Sequence, residues 1–167
     1  HQLLQKIYYL IGFRGDLNDK EDIVESLQAA YFQQFNNSLE SIKLDSFPET
    51  FNWEKSVRMD VINNEAGLLC LQVETYARTG AHDGSRVKKY LVFDLEQNKV
   101  IKLNDLLPEE NMQRLTDLLQ IKLREQYRIK PETTLTDAGF FQDTIMPTSN
   151  FYLHPGGLGF FFNVYEI

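Results

Sequence analysis

The sequence predicts an α+β fold: an antiparallel sheet, built as a meander plus a C-terminal hairpin, packed with two to three amphipathic helices. Three observations predict it. Apolar residues recur at helical spacing near the start and again after residue 107. Between those stretches the apolar period falls to two. The turns that join the period-2 runs are too short to hold crossover helices, so the strands must be antiparallel.

The elements follow in order. Leu3, Leu4, Ile7, Tyr8 and Ile11 lie at helical spacing and stop at Gly12, a residue suited to the left-handed C′ position. An acidic stretch, Asp16 to Asp22, offers Asp19 as an N-cap for a second helix. Its stripe is Ile23, Leu27, Ala30, Tyr31 and Phe35, and Asn36-Asn37 is the expected end. After Pro48, Val57, Met59 and Val61 alternate with charged or polar residues as a first strand. The turn Asn63-Asn64-Glu65-Ala66-Gly67 leads to a second strand with Leu69, Leu71, Val73 and Thr75. Val87, Leu91, Phe93 and Leu95 mark a third, and Glu96-Gln97-Asn98 turns it into a short return strand, Val100 to Leu103. Leu107-Pro108-Glu109-Glu110 starts a helix with proline first and acids in the first turn. Its stripe is Leu115, Leu118, Leu119, Leu123 and Tyr127; Arg124, Arg128 and Lys130 suit its negative end, and Pro131 stops it. A loop-rich stretch runs to Asn150. Phe151-Tyr152-Leu153, the turn His154-Pro155-Gly156-Gly157 and the run Leu158 to Val164 then form a last hairpin, with Phe160, Phe161, Phe162 and Tyr165 as core residues.

Composition sets the outer bounds. The 167 residues carry 17 basic and 24 acidic side chains, a net charge of −7, and 43% are apolar. A chain of this size buries roughly two thirds of its unfolded surface, so it needs neither metal nor disulfide to fold. No apolar run approaches the roughly 18 residues of a membrane span. The acidic balance argues against nucleic acid and anionic membrane surfaces as partners. Cys70 is the only cysteine; it sits in the apolar run Leu68-Leu69-Cys70-Leu71 and reads as a buried, inert thiol. The chain begins at His1 and stops in the apolar run Phe161 to Ile167, which reads as a piece cut from a longer protein. Residues 1–50 are expected to be the N-terminal helical part of the same unit as 51–167.

The most suggestive segment for function is Gly80-Ala81-His82-Asp83-Gly84, which joins two strands. His82 has the chemistry of a general base or a metal ligand, or of a ring that fixes the turn through backbone hydrogen bonds. His1 and His154 lie far from it without ligand spacing, so neither a metal nor a cofactor is expected. Charge is uneven along the chain. Residues 1–50 hold 4 basic and 8 acidic side chains, 51–103 hold 8 and 7, and 104–167 hold 5 and 9. The near-neutral centre contains Arg78, Arg86, Lys88 and Lys89 around the His82 loop, a basic rim suited to an anionic glycan or an acidic partner. The same rim disfavours a basic protein at that loop. Asp60, Glu74, Asp94 and Asp105 raise a carboxylate-pair glycosidase, but no two have spacing that fixes a common face. Asp94 reads as a hairpin-end residue and Asp105 as a cap. Gly156-Gly157-Leu158-Gly159 reads as turn chemistry rather than a phosphate loop.

Three segments, in this order, resemble one known family. They are Tyr76-Ala77-Arg78-Thr79-Gly80-Ala81-His82-Asp83-Gly84, then Leu91-Val92-Phe93-Asp94-Leu95 with Lys99-Val100-Ile101-Lys102-Leu103-Asn104-Asp105-Leu106-Leu107. The third is Asn150-Phe151-Tyr152-Leu153 with Gly157-Leu158 and Phe162-Asn163-Val164-Tyr165-Glu166-Ile167. The set is similar to the extracytoplasmic domain of RsiV-type anti-sigma factors and of related envelope lipoproteins, a domain that also accompanies some peptidoglycan deacetylases. Thr79 stands where the family has glycine, Asp83 intervenes before Gly84, and Val164 stands where proline is common. The family normally continues with one more strand. The resemblance implies an extracytoplasmic location, in the periplasm or at the cell surface, usually through a lipoprotein anchor, and a binding or sensing role. In the anti-sigma branch it implies recognition of lysozyme. It supplies no catalytic residues.

The expectation is therefore a non-catalytic envelope domain that binds a lysozyme-like protein or a cell-wall glycan. The candidate ligand-binding residues are Tyr76, Arg78, Gly80, His82, Asp83, Arg86 and Lys88. Nucleic acid is not an expected partner, and a membrane is one only through an anchor. Two alternatives stay open: a cell-wall glycan hydrolase or deacetylase-type enzyme using His82, and a purely structural lipoprotein domain.

Overall fold

A computed structural model describes residues 2–15, 23–41, 52–80 and 83–167. The fold is α+β. Helices α1 (Gln2–Leu10) and α2 (Ile23–Ser41) precede strands β1 (Glu54–Glu65), β2 (Leu68–Arg78), β3 (Ser85–Asp94) and β4 (Lys99–Val100). Helix α3 (Leu103–Leu106), a 3-10 turn (Glu109–Asn111), helix α4 (Met112–Tyr127) and the hairpin of β5 (Phe151–His154) and β6 (Gly157–Phe160) follow. The sheet order is β1-β2-β3-β4, with β5-β6 as a separate two-stranded sheet. By internal contacts the chain divides into two units, 1–60 with 73–89 and 61–72 with 90–167, so β1, β2 and β3 each give residues to both.

In the first unit, Gly12 ends α1 as the sequence predicts. Its φ is +97°, and two hydrogen bonds complete a Schellman motif: Phe13 N–H to Tyr8 O at 2.9 Å and Gly12 N–H to Tyr9 O at 3.2 Å. The rings of Phe13 and Tyr8 meet edge-on at 6.0 Å, the hydrophobic contact that accompanies this cap. Helix α2 does not end at Asn36-Asn37 but runs on to Ser41. Two asparagines cost only tenths of a kcal/mol each in a helix, and the α2 residues Tyr31 and Phe35 pack their rings on Trp53 at 5.9 and 5.6 Å. Trp53, the only tryptophan, anchors the entry to β1 and escaped the sequence reading. The expected cap Asp19 and the break at Pro48 lie outside the described residues.

The β1–β2 turn is Ala66-Gly67, with φ of +51° and +75°. Positive φ at both central positions is the type I′ geometry, whose twist matches that of the flanking strands. The alternating apolar residues of β1, Val57, Met59 and Val61, are all exposed. Burial falls instead on β2 and β3, at Cys70, Leu71, Val73, Leu91, Val92 and Phe93. A period of two places side chains on alternate faces but does not say which faces are covered. Cys70 is fully buried, and desolvation raises its thiol pKa against a hydrogen bond from the Leu153 backbone, so it is a core residue.

In the second unit, β4 is shorter than expected, pairing only Phe93 with Val100 and Asp94 with Lys99. Asp94 and Asp105 have the roles read for them. Asp94 Oδ1 accepts the N–H groups of Glu96 and Gln97 at 2.9 and 2.7 Å, fixing the turn after β3. Asp105 Oδ2 accepts the Lys102 N–H at 2.7 Å, which turns the chain into α3 and takes Leu103 out of the expected strand. Helix α4 starts at Met112, after the 3-10 turn, and not at Pro108. It ends at Tyr127, before Pro131, because Arg128 adopts the left-handed conformation at φ +55°. Arg124 Nη1 serves that end by donating to Lys130 O and Thr133 O at 3.1 and 2.8 Å.

The buried face of α4 holds Thr116 and Leu123, while Leu118 and Tyr127 of the expected stripe are exposed. Thr116 Oγ1 donates to Met112 O one turn back at 2.9 Å, which satisfies its hydroxyl inside the protein. Leu123 packs with Leu135 and Ile145, two anchors of the long loop, joined by half-buried Phe140 and Phe162. A second cluster joins Cys70, Val92, Ile101 and Phe151, flanked by Tyr152, Leu153 and Phe160. β6 stops at Phe160, short of Val164, and Tyr165 is exposed rather than core.

Asn150 ties the final hairpin to the outer side of β3. Its Oδ1 accepts the Tyr90 N–H at 2.9 Å, its Nδ2 donates to Phe161 O at 3.1 Å, and its carbonyl accepts the Phe161 N–H at 3.0 Å. The Tyr90 ring stacks on Tyr152 at 4.7 Å, and its hydroxyl donates to Gln72 Oε1 at 2.7 Å. Tyr152 in turn covers its cross-strand partner Gly159, where a Cβ would collide with the ring.

Asn150→Ala removes both side-chain bonds and leaves a backbone donor and an acceptor unmatched, for an expected loss of about 3 kcal/mol. Asn150→Asp keeps an acceptor for Tyr90 but sets a carboxylate against Phe161 O, so it also destabilises. Urea unfolding of both variants checks this; an Asp variant as stable as the parent would contradict the amide's double role.

Candidate functional site

The candidate residues lie on β2, β3 and the segment between them. Tyr76 and Arg78 close β2, and Arg86 and Lys88 open β3. Gly80 is buried with φ +74°, a conformation that favours glycine, and Asp83 is exposed. Ala81 and His82, with the roles read for the histidine, lie outside the described residues.

Glu74, half-buried on β2, organises the group. It accepts from the Arg86 guanidinium and pairs with Lys88 Nζ at 3.3 Å. Partial desolvation pushes the Glu74 carboxyl upward, but hydrogen bonds and charge from Lys88 and Arg86 outweigh it and hold the pKa below the ordinary glutamate value. The Arg86 guanidinium carbon also lies 5.4 Å from the centre of the Tyr76 ring, in cation–π range. Tyr76 lies over Gly84, where a Cβ would overlap the ring and its hydroxyl. That contact gives Gly84 a steric reason. Arg78 completes the set with an Nε that is buried and has no hydrogen-bond partner.

The structure thus brings Tyr76, Arg86 and Lys88 together around Glu74, with Gly84 beneath the tyrosine. Sequence reasoning included the cations but missed Glu74 as their organiser. The signal was present: Glu74 and Tyr76, like Arg86 and Lys88, are spaced by two, so each pair shares a strand face. Chemically the arrangement sets two cations on one carboxylate, with an aromatic ring beside Arg86. Among the described residues no group of three or more His, Cys, Asp or Glu side chains could hold a metal ion. No helix among them is long and apolar enough to cross a membrane.

The second unit has a separate cleft of ≈490 Å³ beside β3, lined by Val100, Lys102, Asn104, Pro147, Ser149 and Phe151 among others. It contains none of the candidate residues.

Residues 104–167 match the family model described as "Protein of unknown function (DUF3298)". The match includes the Asn150 segment and stops short of the β2–β3 site. A crystal structure of a DUF3298 family member from Bacteroides fragilis is similar over 95% of this chain, at 25% identity and a TM-score of 0.76. One from Pseudomonas aeruginosa is similar over 78%, at 23% identity and a TM-score of 0.56, a likeness of fold. The chain spans 63% and 55% of the lengths of those two proteins. No curated protein matches it.

Two outcomes test the site's architecture. Gly84→Ala should displace the Tyr76 ring and with it the Arg86 stack, without strain in the backbone. The ring-current shift on the Arg86 δ protons reports this by NMR, and unchanged shifts would refute the packing. Glu74 has a depressed pKa in the folded state, so the stability it contributes is present above the ordinary glutamate value. It is lost as pH falls through the lower folded value. Glu74→Gln should therefore flatten the acid limb of thermal stability measured from neutral pH downward.

Proposed function

We propose that this chain is a non-catalytic binding domain of a bacterial envelope protein, and that its ligand is an anionic cell-wall glycan held at the β2–β3 site. The single observation that carries this is the cluster itself. Arg86 and Lys88 share one carboxylate, Glu74, with Arg78 on the same strand as Glu74, so the face stays cationic within a chain of net charge −7. Tyr76 beside Arg86 adds a ring of the kind that stacks against sugar faces. An anionic sugar polymer suits both the charge and the ring of this face.

The extracytoplasmic placement rests on the resemblance to RsiV-type domains, with a lipoprotein anchor as the expected tether. The DUF3298 likeness carries no ligand. Lysozyme, the ligand in the anti-sigma branch, is strongly basic and would be repelled by Arg86 and Lys88, which favours the glycan at this face. The glycan is bound, and its bonds stay intact.

Soluble muramic-acid-containing peptidoglycan fragments, titrated by calorimetry, test the reading. Arg86→Gln should weaken binding at least about fivefold, since a charge-assisted bond to the ligand is lost, while its circular dichroism stays that of the parent. Raising salt should weaken the parent in the same direction. No heat at millimolar fragment, or cleavage of the fragments by the purified domain, would overturn it.

A further inference from the structure

β1 is the edge of the four-stranded sheet, twelve residues long, with no strand on its outer side among the described residues. At the strand rise it extends for about 40 Å, a long row of N–H and C=O groups with no strand partner on that side among the described residues. Natural edges of this kind are blunted by proline or by lysine. The central stretch Val57-Arg58-Met59-Asp60-Val61 contains neither. It instead exposes Val57 by 40%, Met59 by 43% and Val61 by 63% on one face of the strand. On the opposite face Arg58 and Asp60 pair with each other, Nε to Oδ2 at 3.0 Å, with the Arg58 side chain 76% exposed.

The order of these residues is self-complementary. Placed antiparallel to itself with Met59 on a two-fold axis, the strand sets Val57 against Val61 and Met59 against Met59. The same register sets Arg58 against Asp60, twice. No other register centred within this stretch matches both the apolar and the charged positions. A two-fold interface must present one patch to itself, and this stretch meets that condition in sequence and in exposure. Its two charges cancel, so two copies approach without repulsion. The intrastrand Arg58–Asp60 pair becomes a four-charge network across the axis.

We propose that β1 pairs with β1 of a second copy of this chain, joining two four-stranded sheets into one continuous antiparallel sheet about Met59. The occupant of the edge is this chain itself, because the charge order that fits Arg58-Met59-Asp60 in antiparallel is that of the same stretch. Backbone bonds and the six apolar side chains supply the association, and Arg58 and Asp60 fix its register, as charged cross-strand pairs do. This surface is separate from the cationic β2–β3 site and does not rest on the glycan reading.

Sedimentation velocity of the intact chain, from micromolar to submillimolar concentration, should show a monomer–dimer equilibrium. Arg58→Asp places four carboxylates around the axis and should weaken dimerisation at least about tenfold. Adding Asp60→Arg to it swaps the charges, restores the complementary order and should return the dimer. The Arg58 side chain is 76% and the Asp60 side chain 34% exposed, so circular dichroism should stay that of the parent. Met59→Cys should cross-link to itself under oxidation, whereas the native Cys70 is buried and should not. A chain monomeric throughout, a dimer indifferent to Arg58→Asp, or a double variant that fails to recover would each overturn the proposal. So would a monomer whose β1 takes up an unrelated extended peptide.

Discussion

Beyond its two-residue pairing with β4, the outer side of β3 has no strand beside it among the described residues, and the side chain of Asn150 takes the place of one. One carboxamide accepts from Tyr90 and donates to Phe161, so it satisfies the sheet and the final hairpin at once. A carboxamide carries an acceptor and a donor on one planar, uncharged unit, so it can do both. Much of the second unit depends on that tie. It sets Tyr152 against Tyr90, brings Phe151 to Cys70 and Val92, and covers Gly159 with a ring. Asn150 heads the segment by which the chain resembles its relatives, and the geometry gives a packing reason for its presence there.

The first unit has a different logic. There the polar groups at the end of β2 and β3 are arranged around a carboxylate that has fewer charges than its partners. A surface salt bridge of one cation and one anion contributes little to stability. Two cations on Glu74, with a third close by in sequence, leave positive charge unspent. The edge of β1 shows the complementary case, in which two charges cancel and apolar side chains remain in water.

Several elements were legible because one local rule decides them. Gly12 ends α1 since a left-handed residue is needed there, and Phe13 and Tyr8 complete the motif within six residues. Asp94 and Asp105 bond to backbone within three residues of themselves. Other features depend on partners remote in sequence. Thr116 is buried where the pattern pointed to Leu118, because a hydroxyl bonded to Met112 O is compatible with the interior. Leu135, Phe140 and Ile145 have no periodicity, yet they pack with Leu123. Asp143 fixes that loop by accepting from Thr136 N and Oγ1 at 2.9 and 2.8 Å, bonds that hold its pKa below the usual carboxylate range.

By itself the sequence determined the α+β class, the order of the strands, the antiparallel meander, the buried Cys70 and the cations near the His82 loop. These follow from periodicity, turn chemistry and charge, all of which act over a few residues. Only the tertiary structure decided which face of β1 is covered, which side of α4 is buried, and that Glu74 gathers Arg86 and Lys88. A strand's alternation is symmetric between its two faces, and a helix stripe has more than one candidate edge. Neighbouring elements break both degeneracies, and their positions are set by contacts between residues far apart in the chain.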